Sequence, residues 1–385
     1  MMNARRSAAY VVGRWLKTKE FPGELLPSGP DRAFVQDLVY TTVRRLRPLR
    51  RVLGELVAKW PKGEMEALLY VGAAQILYMP DVPDFAAVNE TVEAAKECPS
   101  PGVARVVNGV LRNLVRRRAE FEALIASAPA AERESFPGEL YGRWEARWGV
   151  DGAERLAKWH NEPAVTYLAR RDGSFVALER GERVENVPGY AEGEFIVQDP
   201  ATAMAVALLD PKPGERVLDL CAAPGGKSVQ IAWRGADLPS CEVNPRRRRR
   251  LEENLARVGV AAKVVGSVEE CGPGAYDKVL VDAPCSNTGV IRRRPDARWG
   301  WSADKMSALV RMQSEILDAA AKLVAPGGTL VYSTCSNEPE ENAMQVDSFV
   351  ARHPEFAVAE SKESVPFESG HDGAFAAALV RKAQA

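Results

Sequence analysis

The sequence predicts an all-α domain followed by an α/β domain built on a mainly parallel sheet. In the first third of the chain, apolar residues recur at spacings of three and four, which is typical of amphipathic helices. From Phe195 onward, short apolar runs alternate with longer helical stretches, which is the pattern of βαβ units. The length of 385 residues also indicates more than one domain.

The first domain is predicted to contain five or six helices between Ala4 and Arg118, and we place it at residues 1–120. Proline and glycine mark breaks between the helices at 21–31, 60–64, 79–84 and 98–102. A polar helical stretch and a short mixed segment follow, and we interpret residues 121–194 as a linker with a small subdomain.

The second domain, residues 195–385, is predicted to be the α/β domain. Its expected strands are Arg216–Leu220, Leu238–Val243, Lys263–Val265, Lys278–Asp282, Thr329–Ser333, Phe356–Ala359 and Ala376–Val380. A helix over Ala303–Val324 has apolar residues along one face and is expected to end before Pro326–Gly328. Asn244 and Pro245 are expected to begin another helix as its N-cap and first-turn residue.

The composition is that of a globular protein, with 46% hydrophobic and 27% charged residues. This balance excludes a disordered chain and a disulfide-rich miniprotein. No apolar run reaches the roughly 18 residues that span a membrane, and the N terminus lacks the apolar core of a signal peptide, so we expect a cytoplasmic location. Six cysteines without C-x-x-C spacing and only three histidines argue against disulfides and a metal site.

A small-residue loop, Cys221–Lys227, joins the first α/β strand to a helix. Gly225 and Gly226 would let a ligand approach the backbone, and the helix N terminus offers unpaired N–H groups. The spacing fits neither the dinucleotide nor the triphosphate motif. Glu242, at the end of the next strand, is placed to accept ribose hydroxyls. These features predict an adenosine-containing cofactor, and a tight turn without a ligand is the alternative.

Two cysteines lie just past the ends of predicted strands. Asp282 and Cys285 follow one strand, and Cys335 follows another. Because ligands of open α/β sheets bind at the carboxyl ends of strands, we interpret both thiols as reactive groups beside the cofactor. The cysteines at 98, 241 and 271 are interpreted as buried packing residues.

Arginine is concentrated in four clusters, at residues 44–51, 116–118, 246–250 and 292–294. Such clusters attract phosphates, and the first 150 residues carry a net positive charge although the whole chain has a net charge of −1. A solvated helix face is the alternative for each cluster. The four clusters together favour nucleic acid as a partner.

Three segments, DLCAAPGGKS, DAPCSNTG and TCSNEPEEN, resemble in this order the signature motifs of the RNA cytosine-5 methyltransferases that depend on S-adenosylmethionine. FIVQDPATA and HDGAFAAALVRK resemble the flanking motifs of that family, and the helical part resembles a NusB-type RNA-binding domain. The resemblance covers nearly the whole chain. It implies a Rossmann-like methyltransferase domain with a mainly parallel seven-stranded sheet, preceded by a NusB-like all-α domain.

The resemblance also implies a set of site residues. It assigns attack on C6 of a cytosine to Cys335, release of the product to Cys285 and stabilisation of the adduct to Asp282, with RNA, and small-subunit ribosomal RNA in particular, as substrate. S-adenosylmethionine is expected at Cys221, Ala222, Ala223, Pro224, Gly225, Gly226, Lys227, Glu242, Ser267 and Asp282. RNA is expected at Arg44, Arg45, Arg47, Arg116, Arg117, Arg118, Arg292 and Arg293.

The chain departs from the family pattern at three places. Ser267 stands where an acidic residue is usual, with Glu269 as the candidate substitute. Asn287 stands where glycine or alanine is usual, and the segment 171–193 is shorter than the family's subdomain. Two other functions stay open: an RNA-binding ribosome-assembly factor with a weak or inactive methyltransferase domain, and an amino-group methyltransferase. The latter uses an N/D-P-P-Y/F loop and needs no thiol, so the two cysteines favour methylation of carbon.

Overall fold

The computed structural model describes residues 3–100, 102–179, 181–272 and 276–383. They form two compact units. The first comprises the chain up to Asn161 together with Arg294–Gly300, and the second comprises Glu162–Arg293 and the chain from Trp301 onward. The division therefore differs from the boundaries at 120 and 194 that we predicted from the sequence.

The first unit is helical. Its helices α1 to α10 are Ala4–Thr18, Pro22–Leu25, Arg32–Arg44, Leu46–Gly54, Glu64–Tyr78, Asp84–Lys96, Gly102–Arg116, Arg118–Ala126, Ala130–Arg133 and Gly138–Asn161. Seven of these described helices precede residue 118, where five or six were predicted. The additional helices arise because a single turn, α2, forms inside the predicted break at 21–31 and because Arg45 separates α3 from α4.

Helix α5 is the centre of the first unit. Its sequence EMEALLYVGAAQILY is apolar on every side, and a helix of that kind has to be surrounded by other elements. Residues 67–76 are all buried, and α5 packs against α1, α3, α6 and α7. At the end of the unit, Trp144 of α10 packs on Phe136 with 5.0 Å between the ring centroids, and α10 falls in the same compact unit as the helices before it.

The segment Arg294–Gly300 joins the first unit although it follows the DAPCSNTG motif in sequence. Arg298 in this segment is fully buried. Its Nη1 donates to the carbonyl oxygens of Arg44 and Ser135 at 3.2 Å, and to Asn161 Oδ1 at 3.0 Å. The guanidinium of Arg298 therefore ties the segment to the helices.

The second unit contains two sheets. Its strands β1 to β10 are Tyr167–Arg170, Phe175–Ala177, Phe195–Val197, Val217–Leu220, Pro239–Cys241, Lys263–Val265, Tyr276–Asp282, Val324–Thr334, Phe356–Ser364 and Ala374–Arg381. The remaining helices, α11 to α17, are Ala203–Leu209, Gly226–Trp233, Pro245–Arg257, Ala297–Gly300, Ala303–Ala321, Ala343–Arg352 and Pro366–Ser369, of which α14 lies in the first unit. Because β3 pairs with β1, the small antiparallel sheet extends past residue 194.

The larger sheet confirms the predicted fold class. Its seven strands follow the order β6-β5-β4-β7-β8-β10-β9, and β10 runs antiparallel to both of its neighbours while the other pairs are parallel. Successive residues of the central strand β7 alternate between two cores, with Val279 and Val281 in one and Leu280 in the other. A parallel sheet covered on both faces has this continuous apolar strand pattern.

The predicted strands all occur, but one helix end was wrong. Helix α15 ends at Ala321, and Val324 already begins β8, where it pairs with Tyr276 of β7. Pro326–Gly328 therefore lie within a strand, because the chain turns into the sheet before it reaches them. The predicted start of α13 is confirmed, since the Asn244 side chain accepts hydrogen bonds from the two N–H groups of residues 246 and 247. Across the four described ranges, no helix is long and apolar enough to cross a membrane.

Candidate active site

The ends of β7 and β8 bring the two cysteines together. Asp282, the last residue of β7, pairs with Ser333 near the end of β8. Because parallel neighbours end at the same edge of a sheet, the loops that follow carry Cys285 and Cys335 to the same place. Their Sγ atoms are 3.1 Å apart.

A pair of glycines lets these loops pack against a third one. The N–H of Gly289 donates to the carbonyl oxygen of Cys335 at 3.0 Å, and the N–H of Gly373 donates to that of Gly289 at 2.9 Å. A Cβ atom on Gly289 would lie 2.3 Å from the carbonyl oxygen of Gly373. The glycines of the DAPCSNTG and HDG segments are therefore needed for the close approach of these backbones.

A buried carboxylate, Glu341, holds the two cysteine loops. Its Oε1 accepts from the Ser286 N–H at 2.9 Å and from Gln313 Nε2 at 3.0 Å. Its Oε2 accepts from the hydroxyls of Ser286 and Ser336 at 2.5 Å. Ser286 and Ser336 each directly follow one of the cysteines in sequence. The sequence analysis missed this role, although Glu341 lies in the TCSNEPEEN segment, because spacing does not distinguish it from the neighbouring glutamates.

Asp282 faces the cleft as half of an ion pair with Lys227. Lys227 Nζ lies 2.7 Å from Asp282 Oδ2, and the Ser333 hydroxyl donates to Oδ1 at 2.9 Å. Burial by itself lowers the pKa of Lys227, but the Asp282 carboxylate outweighs it and the pKa is raised. The lysine therefore keeps its charge and fixes the aspartate at the strand end.

Both thiols are hydrogen-bonded within the loops. The hydrogen bond with Cys335, together with burial, raises the pKa of Cys285 well above its ordinary value. The Cys335 Sγ also lies 3.3 Å from the side-chain oxygen of Asn287. Burial raises the pKa of Cys221 to about 12, so this cysteine in the glycine loop is a neutral thiol at physiological pH.

A cleft of about 310 Å³ opens beside the thiols, at the carboxyl edge of the large sheet. Eight of the predicted site residues line it, namely Ala222, Ala223, Pro224, Gly226, Lys227, Asp282, Cys335 and, of the residues predicted for RNA, Arg293. Four others predicted for the cofactor, Cys221, Gly225, Glu242 and Ser267, are not part of this lining. Their contact with a cofactor stays a prediction.

Glu242 has the properties expected of a ribose ligand. It is 2% exposed, and its Oε1 accepts from the Asn244 N–H at 2.9 Å. Among the residues that the structure describes, Oε2 has no hydrogen-bond partner, and the nearest cation is Arg247 Nε at 3.5 Å. A buried acceptor with unused capacity suits a ligand that brings hydroxyl donors. In the adjoining loop, Gly225 adopts φ +108°, which a residue with a side chain rarely can.

Glu269, the acidic residue that we considered as a substitute near Ser267, lies on the surface. Glu269 begins a one-turn 3-10 helix, Glu269–Cys271, on the surface. Its own backbone N–H and the Ser267 hydroxyl lower the pKa of Glu269. Glu269 is absent from the described lining of the cleft, and its contact with a cofactor stays a prediction.

Arg293, which lines the cleft, is held by two aspartates that also line it. Its Nη2 lies 2.8 Å from Asp199 Oδ2, and its Nε lies 2.6 Å from Asp372 Oδ2. Burial raises the pKa of Asp372 to about 6, although Arg293 opposes this. We expected Arg293 to contact RNA, but its guanidinium is occupied by these carboxylates. The two aspartates were missed although they lie in the QDPATA and HDG segments that carried the resemblance.

The other arginines predicted to bind RNA mostly contact groups of their own unit. These contacts are Arg45 with Glu134, Arg47 with the carbonyl oxygens of Ala131 and Phe136, Arg117 with Glu120, Arg118 with Asp84, and Arg292 with Glu162 and the carbonyl oxygen of Pro163. Arg44 is half-buried, and Arg116 is exposed and donates to Asn113. RNA contact by these residues stays a prediction. In the described part of the chain, no group of three or more histidine, cysteine or acidic side chains is placed to hold a metal ion.

Comparison with known proteins places the chain in a family. Residues 206–379 match the family described as 16S rRNA methyltransferase RsmB/F, and residues 2–116 match the NusB family. The chain is 33% identical to the ribosomal RNA small subunit methyltransferase B of Salmonella arizonae over 427 residues, which cover 99% of both chains. It is also 33% identical to the protein of that name from Vibrio cholerae, over 99% of this chain and 98% of the other.

Solved structures share the fold. The crystal structure of PH0851 has a TM-score of 0.80 at 22% identity and covers 98% of both chains. That of NSun6 from Pyrococcus horikoshii has a TM-score of 0.57 at 20% identity and covers 66% of this chain and 100% of its own. The resemblance seen in the sequence motifs is confirmed: the chain belongs to the RsmB/F family of 16S rRNA methyltransferases and carries a NusB-family domain at its N terminus.

Proposed function

We propose that the chain methylates C5 of a cytosine in small-subunit ribosomal RNA, with S-adenosylmethionine as methyl donor. The observation that carries this proposal is the contact between Cys285 and Cys335 at the edge of a cleft that also exposes Asp282. Methylation of an amino group or of oxygen needs no thiol, whereas methylation of C5 needs a nucleophile to activate the ring. The names of the relatives, which specify ribosomal RNA of the small subunit, support the same substrate.

The chain offers a fitting site for the cofactor. S-adenosylmethionine supplies an electrophilic methyl group on a sulfonium centre when it is bound. Glu242 would accept its ribose hydroxyls through Oε2, which has no hydrogen-bond partner among the described residues, and the backbone at Gly225 and Gly226 would lie against it. The buried Oδ1 of Asp219, which lacks a partner among the described residues, would accept from a donor in the same cleft.

Cys335 acts first on the target base. Once its proton has left, the sulfur adds to C6 of the cytosine, and the C5=C6 electron pair makes C5 nucleophilic. Asp282, fixed by Lys227, accepts a hydrogen bond at the N3 and N4 edge of the ring and stabilises the adduct. Such a pocket requires that the base leave its stack in the RNA.

Cys285 acts after the methyl group has been received. The proton on C5 passes to the Cys285 sulfur or to a water beside it, the C5=C6 bond forms again, and the Cys335 sulfur leaves with the electron pair of the broken bond. Because burial and the hydrogen bond with Cys335 raise the pKa of Cys285, this thiol has to lose its own proton before its sulfur can take the proton from C5.

The order of the two thiols can be tested on a denaturing gel. Purified Cys285→Ala protein, mixed with S-adenosylmethionine and substrate RNA, should accumulate a nuclease-sensitive band of slow mobility, because the adduct forms but is not released. Cys335→Ala should form no such band and no 5-methylcytosine. The reverse pattern would exchange the two roles. Methylation by Cys335→Ala without any band would contradict thiol addition.

A further inference from the structure

Asn287 links the two cysteine loops through its side chain. Its Nδ2 donates to the carbonyl oxygen of Cys285 at 3.0 Å, and its Oδ1 lies 3.3 Å from the Cys335 Sγ. The residue has φ +60°, a conformation that asparagine tolerates better than most residues with a side chain. An asparagine can therefore replace the glycine that is usual here and add an amide next to the thiol.

The orientation of this amide is fixed by its backbone contact. A carbonyl oxygen accepts only, so the Asn287 NH₂ group must face Cys285 and its oxygen must face Cys335. An amide oxygen cannot donate, and the hydrogen of this contact therefore has to come from the Cys335 S–H. An ionised sulfur in the same place would face the lone pairs of the amide oxygen.

We propose that Asn287 is a positioning residue that holds Cys335 as a hydrogen-bonded thiol in the substrate-free protein. This inference deepens the proposed function, because it rests on Cys335 as the nucleophile. The sulfur can add to a base only after the S–H has left the amide oxygen, so the contact is exchanged when the substrate enters. The thiol is thereby kept in its less reactive form and aimed within the cleft until that moment.

Other charged and titratable groups also face Cys335. Cys285 contacts it directly, and the Lys227 ammonium is near it but paired with Asp282. Across the same cleft stand Asp219 and the ion-paired cluster of Arg293 with its two aspartates. A substitution at 287 removes none of these charged groups, although it also removes the amide contact to the Cys285 carbonyl oxygen.

Two substitutions that suit the backbone conformation test the proposal in opposite directions. In the full-length protein without RNA or cofactor, iodoacetamide alkylates Cys335, and mass spectrometry identifies the modified cysteine. The rate of this alkylation is measured as a function of pH, and the pH of half-maximal rate is its midpoint. Asn287→Gly removes the acceptor and should lower the midpoint by roughly half to one pH unit. Asn287→Asp places a negative charge beside the sulfur and should raise the midpoint by about one unit or more.

The buried Cys98 of the first unit serves as the internal reference thiol, and its alkylation should not change. Midpoints of Cys335 that stay unchanged in both variants would overturn the proposal. A shift in the same direction in both would also overturn it, since that would indicate general loosening of the loop. The alkylation experiment requires no turnover. The proposed function fails if Cys335→Ala still methylates RNA, and this result is independent of the alkylation of Cys335 that tests the role of Asn287.

Discussion

Two substitutions of Glu341, to glutamine and to alanine, distinguish the contribution of its hydrogen-bond geometry from the contribution of its charge. In Glu341→Gln, the remaining oxygen can take the position of Oε1 and accept from the Ser286 N–H and from Gln313. The new NH₂ group then faces the hydroxyls of Ser286 and Ser336, which can rotate and accept. The hydroxyl hydrogens that pointed at Oε2 must then turn toward the neighbouring hydroxyl oxygens of this cluster, which lie 3.1–3.4 Å away.

The two substitutions should differ widely in stability. Since charged hydrogen bonds are only modestly stronger than neutral ones, Glu341→Gln should lower the free energy of unfolding by about 1–2 kcal/mol. Glu341→Ala leaves the Ser286 N–H and the Gln313 amide without their acceptor, at about 1–3 kcal/mol each, and it also empties part of a buried site. The expected loss is about 3–5 kcal/mol.

Urea-induced unfolding, followed by tryptophan fluorescence, measures the free energy of unfolding of both variants. The effect on the cysteine loops is measured as the methylation rate, at a temperature at which both variants are folded. We expect Glu341→Gln to retain measurable activity and Glu341→Ala to lose most of it, because both cysteines adjoin the serines that Glu341 holds. Equal destabilisation by the two variants would refute the reasoning, since it would mean that charge and not acceptor geometry holds the loops. A loss below about 0.5 kcal/mol in the alanine variant would refute it too.

Three further predictions concern the cofactor, pH and RNA. Glu242→Ala should weaken binding of S-adenosylmethionine by about 1–3 kcal/mol in calorimetry, and unchanged affinity would remove the residue from the site. Burial raises the pKa of Asp219 to about 7, so the folded protein binds this proton more tightly than the unfolded chain does. The resulting stabilisation is complete below about pH 4 and is lost as the pH rises through 7. Asp219→Asn should therefore gain stability relative to the wild type toward pH 8, on the order of 2–4 kcal/mol in urea unfolding, and a constant difference across pH would contradict this. Arg47→Glu should lower the free energy of unfolding, because Arg47 donates to backbone carbonyl oxygens. Arg246→Glu, at an exposed position, should leave that free energy unchanged but weaken RNA binding and make it less dependent on salt. An RNA affinity identical to that of the wild type would exclude a role of Arg246 in RNA binding.

The spacing of apolar residues was sufficient to predict the fold, because it shows whether a helix or strand is buried on one face or on two. The alternation of apolar runs located every strand of the large sheet, including β6 with its predicted bounds of Lys263–Val265. It misplaced the end of α15, because a buried helix and the buried strand that follows it have the same apolar composition. The small sheet was not resolved into strands, since its strands are only three or four residues long and combine buried with exposed positions, without a run of that kind.

The site was predictable where chemistry and strand ends coincide, as for Asp282, Cys285 and Cys335. It was less predictable where side chains act on one another. The charge of Arg293 indicated phosphate, but only the fold shows that Asp199 and Asp372, distant in sequence, neutralise it. Asn287 was noted only as a departure from the family pattern, because a hydrogen bond to a thiol depends on loop geometry that spacing does not encode.

The position of Arg298 limits how the chain can be divided. A fragment that begins after Asn161 would keep the segment Arg294–Gly300 but lose the carbonyl groups that receive the Arg298 guanidinium, together with the Val43 carbonyl that accepts from the Trp299 indole. A charged group and an aromatic ring that are normally enclosed would then be exposed to water in the loop that continues from the DAPCSNTG motif. The loop that follows the DAPCSNTG motif therefore depends on the helical unit for its enclosure, and the segment Arg294–Gly300 belongs with that unit although the chain reaches it from the large sheet.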